Sequence, residues 1–178
     1  MPLPLTAALV GMPDLRSHFA VRYRLDGSER YFIWYADEQD GVLLALTGRV
    51  ATFPDLPAVA QFLSQRGLDL GPEQSDIYDF DQLANWLAQP RAETLDCLAL
   101  LNTWNMLADV ARSLSLPMHG AKDSLDVYDK LFWGSNILAV TPEGQRFDPD
   151  WSAGEIAALA RVLSSGLANV REAAGNAG

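Results

Sequence analysis

Cysteine and histidine are nearly absent from this sequence. Its 178 residues include one cysteine, Cys97, and two histidines, His18 and His119. A lone thiol excludes an internal disulfide framework and any cysteine-rich zinc site. Two imidazoles leave little room for histidine chemistry. Lysine is scarce as well, with two against eleven arginines. No run approaches the roughly 18 apolar residues of a membrane span. The phosphate-cradling patterns GxxxxGK[ST] and GxGxxG do not occur, nor do the nucleophile elbow GxSxG, the zinc motif HExxH or a CxxC pair. The common nucleotide-binding, serine-hydrolase and zinc-hydrolase signatures are therefore missing, and no cofactor is expected. The opening Met1-Pro2-Leu3-Pro4-Leu5 has no basic flank, so a secretory signal is not expected. Together with the single thiol this points to the cytoplasm.

What is present fits one globular domain. Hydrophobic residues make up 49% of the chain and aromatics 10%, enough to build a core without staples. The expectation is a single α+β domain over 1–168, followed by a frayed Gly/Ala-rich tail over 169–178. Acids outnumber bases 23 to 13, and the formal net charge is −10. The excess is uneven: residues 1–67 hold seven acids and six bases, residues 68–178 sixteen acids and seven bases. A field of that sign repels nucleic acid and anionic membranes and attracts basic partners. Plain solubility is the other reading of the same number.

The first third alternates as strands do. In 18–25, Phe19, Val21, Tyr23 and Leu25 fall on one face and Arg22 and Arg24 on the other. Asp26-Gly27 is a two-residue hairpin signal, because both positions tolerate positive φ. The run 29–36, with Tyr31, Phe32, Ile33, Trp34 and Tyr35, reads as a central strand buried on both faces. A third strand over 42–47 and a short fourth over 49–53 complete an antiparallel meander. Helical spacing then takes over. Asp55 caps a helix that Gly67 stops, and 68–81 is a loop with five acids and no base. Asp79 opens a short helix ending at Ala88. The longest pattern, 91–115, is apolar nearly all round, as a central helix is. A shorter helix covers 124–133, and the box Ser152-Ala153-Gly154-Glu155 opens a last one that stops near Gly166. Strands first and helices after is the α+β order.

Three groupings carry the chemistry on offer. The long helix leaves one polar stripe, Asn102, Asn105, Asp109 and Arg112, which either faces water or lines a pocket. Asp123, Asp126 and Asp129 recur every third residue near Lys130. They read better as helix-start acids than as ligands of a hard cation. The segment Asp76-Ile77-Tyr78-Asp79-Phe80-Asp81 alternates acid with large apolar groups, and Tyr128, Phe132 and Trp133 follow the later acids. Aromatic anchors beside carboxylates suit a partner rich in Arg or Lys. The candidate partner-binding residues are therefore Asp76, Tyr78, Asp79, Asp81, Asp123, Asp126 and Tyr128. The alternative is that the aromatics are core and the acids solvated. Cys97, on an apolar helix, reads as a buried and inert thiol. His119, near Lys122 and Asp123, has no nucleophile beside it in sequence.

The stretch Leu98-Ala99-Leu100-Leu101-Asn102-Thr103-Trp104-Asn105-Met106-Leu107-Ala108-Asp109, with Tyr128-Asp129-Lys130-Leu131-Phe132-Trp133-Gly134-Ser135-Asn136, Thr141-Pro142-Glu143-Gly144 and Trp151, resembles bacterial immunity proteins of contact-dependent inhibition and related polymorphic toxin systems. The resemblance spans about 18–166 and transfers no residue role by position. It implies a basic protein partner, a cognate toxin domain, often a nuclease, whose active site is covered. Two other functions stay open. One is a small enzyme using Asn105, Asp109, Arg112 or His119. The other is a secreted-effector chaperone with apolar grooves.

Overall fold

The structure is a computed structural model and describes residues 16–73 and 76–174. It is α+β, as the element order predicts. Strands β1 (Ser17–Leu25) and β2 (Ser28–Ala36) form a hairpin in full register, from Leu25 opposite Ser28 to Ser17 opposite Ala36. Asp26 and Gly27 turn it with φ of 50° and 75°, the positive pair that a tight hairpin of this twist requires. The Asp81 carboxylate holds the turn from outside, accepting from the Asp26 N–H at 2.7 Å and the Gly27 N–H at 2.9 Å.

The expected third and fourth strands are shorter than their alternation suggests. β3 (Gly41–Val42) and β4 (Thr52–Phe53) both pair antiparallel with β2, at Trp34/Tyr35 and Tyr31/Phe32 respectively. They are one broken edge strand. After a last bond from the Leu43 N–H to the Ile33 carbonyl at 2.9 Å, the chain leaves the sheet and folds back on itself, with Leu44 opposite Val50 and the Ala45 N–H donating to the Arg49 carbonyl. The far edge is β5 (Ile77–Asp79), parallel to β1, which gives the order β3-β2-β1-β5. The alternation of 76–81 reads as a loop in sequence. It is a strand because Ile77, Tyr78 and Asp79 find partners in Arg22, Tyr23 and Arg24.

Helix α1 (Leu56–Ser64) covers one face of the sheet over Ala20, Ile33 and Phe53. The Asp55 side chain caps it through the Ala58 N–H at 2.8 Å. The other face, with Val21, Tyr23, Leu25 and Phe32, packs into the larger core with α2 (Phe80–Ala88), α3 (Cys97–Ser113), α4 (Leu125–Gly134) and α5 (Ala153–Ala174). Phe32 and Ile33 are thus buried on opposite faces, as expected for a central strand. A sheet between one helix and a helical layer is a three-layer solution for burying both faces.

α3 is the central helix, but it begins at Cys97 rather than near residue 91. Asp96 caps it through the Ala99 N–H at 3.0 Å, and Leu95 ahead of it is extended. Its C-terminal turn is tied to the sheet edge. Ser113 Oγ accepts from the Val42 N–H at 2.9 Å and donates to the Asp109 carbonyl at 2.8 Å. Gly41 permits this approach, since a Cβ there would lie 2.7 Å from Ser113 Oγ.

The last helix departs most from expectation. α5 does not stop near Gly166 but runs to Ala174, with Val170 and Ala173 buried. Residues 169–174 of the expected frayed tail are helical, and 175–178 lie outside the described residues. Gly166 is not a terminator because it is where α5 crosses α3. A Cβ on it would come within 2.7 Å of the Leu107 Cβ. A glycine read from sequence as a stop signal is here a helix-packing residue. Ser152 and Glu155 do form the expected box. The Ser152 N–H donates to Glu155 Oε2 at 2.8 Å and the Glu155 N–H to Ser152 Oγ at 3.3 Å. Glu155 also accepts from Lys130 Nζ at 2.7 Å, which ties α4 to the start of α5.

Candidate functional site

The polar stripe of α3 does not simply face water. It forms one wall of a cleft of about 460 Å³ between α3 and the sheet. Asn102, Asn105, Asp109 and Arg112 come from α3, Val21 from β1, Trp34 from β2 and Tyr78 from β5, with Asp40 and Asp76 from adjoining loops. Met106 and Ala108, also from α3, add apolar lining. Two groups that lie far apart in sequence, the stripe and the Asp76–Tyr78 segment, meet because α3 packs along the sheet face bounded by β5.

Asp109 organises this wall. Its Oδ2 accepts from the Trp34 indole Nε1–H at 3.0 Å, and its Oδ1 from Arg112 Nη1 at 2.8 Å. The same Arg112 nitrogen donates to the Asp40 carbonyl at 2.8 Å. The Asp109 carboxylate thus ties β2 to α3, and Arg112 extends the tie to the β2–β3 loop. The i,i+3 pair expected from the stripe is real, yet the Asp109 side chain is only 14% exposed, so it lies inside the structure rather than on its wet edge. At the rim, the Tyr128 hydroxyl donates to Asn105 Oδ1 at 2.9 Å, and its ring meets Trp104 edge-on.

The cleft is electrically one-sided. Asp40, Asp76 and Asp109 line it with Arg112 as the one cation among the described lining residues; Asp40 meets Arg112 through its carbonyl, and its carboxylate accepts from the Asp37 N–H at 3.2 Å. Tyr78 registers this field: burial first, then the Asp109 and Asp76 charges, push its hydroxyl above its ordinary pKa. The hydroxyl therefore stays protonated at neutral pH and acts as a neutral polar group.

The other acids named from sequence are placed elsewhere. Asp79 caps α2 through the Gln82 N–H at 2.8 Å and pairs with Arg24 at 3.1 Å. Asp81 holds the hairpin turn. Both are braces of the fold rather than cleft residues. Asp123 and Asp126 are exposed at the start of α4 and do not line the cleft, whereas Tyr128 reaches its rim. Among the described residues no three His, Cys, Asp or Glu side chains gather as a metal set would. His18 is 1% exposed within the fold, and His119 is exposed in the turn after α3; neither lines the cleft. Sequence reading missed Trp34 and Asp40 as site residues. Trp34 reads as core, and the one available signal was its place beside the Asp40-Gly41 turn.

A second concavity, of about 440 Å³, is apolar and lies against Lys130, Trp133, Gly134, Phe147, Asp148 and Pro149. Asn136 builds its back by clasping Phe147, donating to its carbonyl at 2.8 Å and accepting from its N–H at 2.7 Å. Cys97 packs behind Gly134 and is half-buried, not fully buried. Burial, then Asp96 and Asp148, raises its thiol pKa. No described helix is long and apolar enough to cross a membrane. Comparison with family models, curated proteins and solved structures finds no match to this chain.

Proposed function

We propose that this chain is an acidic protein-binding module that neutralises a basic partner through the cleft between α3 and the sheet, as an immunity protein covers its cognate toxin. One observation carries the reading. Residues chosen separately from sequence as a partner-binding segment (Asp76, Tyr78) and as a polar stripe (Asn102, Asn105, Asp109, Arg112) line the same cleft. Complementary charge speeds encounter, and half-buried aromatics supply the contact area that slows release. The net charge of −10 steers in the same direction. A small enzyme would need an acid–base or nucleophile–base pair here, and His119, the imidazole considered for that role, does not line the cleft. An effector chaperone would instead use the apolar hollow at Trp133.

The test is capture with the tagged chain from lysates, comparing wild type with an Asp76→Asn/Tyr78→Ala variant at low and high salt. The expected result is a basic protein held by wild type, lost by the variant and bound more slowly as salt rises. A partner retained equally by both proteins refutes the cleft as the binding face. Capture that follows Trp133 instead moves the reading to the chaperone.

A further inference from the structure

The cleft reading leaves open which basic group it accepts. Four features bear on this. First, the chain's own Arg112 already sits at one end of the cleft, with a single guanidinium nitrogen reaching two acceptors at 2.8 Å, the Asp109 carboxylate and the Asp40 carbonyl. The wall therefore fits a guanidinium. Second, the lining residues include three acids, Asp40, Asp76 and Asp109, and one base, Arg112, so their formal charge is negative. Third, the polar groups are contributed by α3, β5 and two loops, so acceptors stand on more than one element. A compact ammonium is satisfied by three acceptors around a point. A planar guanidinium with five donors spans dispersed ones. Fourth, the lining includes two aromatic side chains, Trp34 and Tyr78, and apolar ones from Val21, Met106 and Ala108. A weakly hydrated guanidinium tolerates such surroundings better than a strongly hydrated ammonium.

We propose that the cleft takes an arginine side chain presented by the partner, held among Asp40, Asp76 and Asp109 with Trp34 and Tyr78 as its walls. This rests on the cleft being the partner-binding face. Arg112 is then the internal guanidinium beside which, or in place of which, the partner's arginine docks.

The test titrates the isotope-labelled chain with Nα-acetyl-arginine methylamide and, separately, with Nα-acetyl-lysine methylamide. The signals read are the Trp34 indole N–H and the Asn102 and Asn105 side-chain amides. The expected result is saturable movement of these signals by the arginine probe at about millimolar affinity, with the lysine probe at least about fivefold weaker. Tyr78→Ala weakens the arginine probe about fivefold, and Asp126→Asn, outside the cleft, leaves it unchanged. Equal binding of the two probes, or no movement with either, overturns the proposal, and both comparisons use the wild-type fold. The two readings fail separately. If partner capture depends on Asp76 and Tyr78 while the probes bind alike, the interface stands and the arginine preference falls. If the arginine probe binds but capture ignores both residues, the guanidinium site stands and the interface falls.

Discussion

Replacing Gly166 with alanine tests the packing that sets α3 in place. In an exposed helix interior, Gly→Ala stabilises by about 0.5–1 kcal/mol, because glycine surrenders more backbone entropy. At Gly166 the new methyl would meet Leu107 at 2.7 Å from Cβ, 2.8 Å from Cδ1 and 3.1 Å from Cγ. Ordinary carbon contacts lie at about 3.5–4.0 Å. The Leu107 tip can rotate away, but its Cβ is fixed by the α3 backbone, so the two helices must part by several tenths of an ångström or more. Overpacking of this kind costs about 1–3 kcal/mol. Set against the propensity gain, the net loss is about 0–2.5 kcal/mol, a fall in Tm of up to roughly 10 °C for a chain of this size. Gly154→Ala is the internal control. It lies on the same helix, and its Cβ would meet only Ser152 Oγ at 4.0 Å, so it is neutral or stabilising. Urea unfolding followed by tryptophan fluorescence measures both. If Gly166→Ala stabilises the protein as Gly154→Ala does, α5 does not cross α3 at Leu107 and the packing argument fails.

Other expectations follow from particular contacts. Glu155 has its pKa lowered from 4.5 to about 2 by the Lys130 ammonium and then by the Ser152 N–H. A depressed carboxylate pKa stabilises the fold above the ordinary value, and that stability is lost as pH falls through 4.5 toward about 2. Both partners are partly solvated, so solvent screening reduces the contribution to about 1 kcal/mol. The stability gap between wild type and Glu155→Gln in urea melts should narrow over that pH window. Asp79→Ala, which removes a helix cap and an ion pair, should cost about 1–2 kcal/mol. Asp76→Asn should weaken partner capture while Asp126→Asn, outside the cleft, leaves it unchanged; equal effects of the two on capture would refute the cleft as the binding face. Cys97, half-buried with a raised pKa, should react with iodoacetamide far more slowly in the native protein than in urea. Comparable rates would show that the thiol is open.

Much of the fold was legible because its signals are local. Asp26-Gly27 turns the hairpin, Asp55 and Asp79 cap their helices, and Ser152 with Glu155 opens the last one. Each depends on atoms within a few residues, so composition at fixed offsets suffices. The edge strand was less legible. Alternation continues through 42–47, but the ladder with β2 ends one bond past Val42, where the Leu43 N–H donates to the Ile33 carbonyl, because residues 44–50 then bond to each other until Thr52–Phe53 rejoins β2. For the candidate site, the α3 stripe and the Asp76–Tyr78 segment were each readable, while their meeting was not.

The sequence by itself determined the α+β order, the hairpin turn, the caps and the polar interruption of an otherwise apolar central helix. Tertiary structure decided what the acids do. Asp81 crosses 54 residues to hold Gly27, Asp79 crosses 55 to meet Arg24, and Asp109 crosses 75 to bind Trp34. It also made Gly166 a crossing point rather than a stop, since a glycine records that a Cβ is unwelcome but not whether backbone angle or a neighbouring helix forbids it. A carboxylate's role is set by the donors that packing brings to it, and most of those donors lie on other elements.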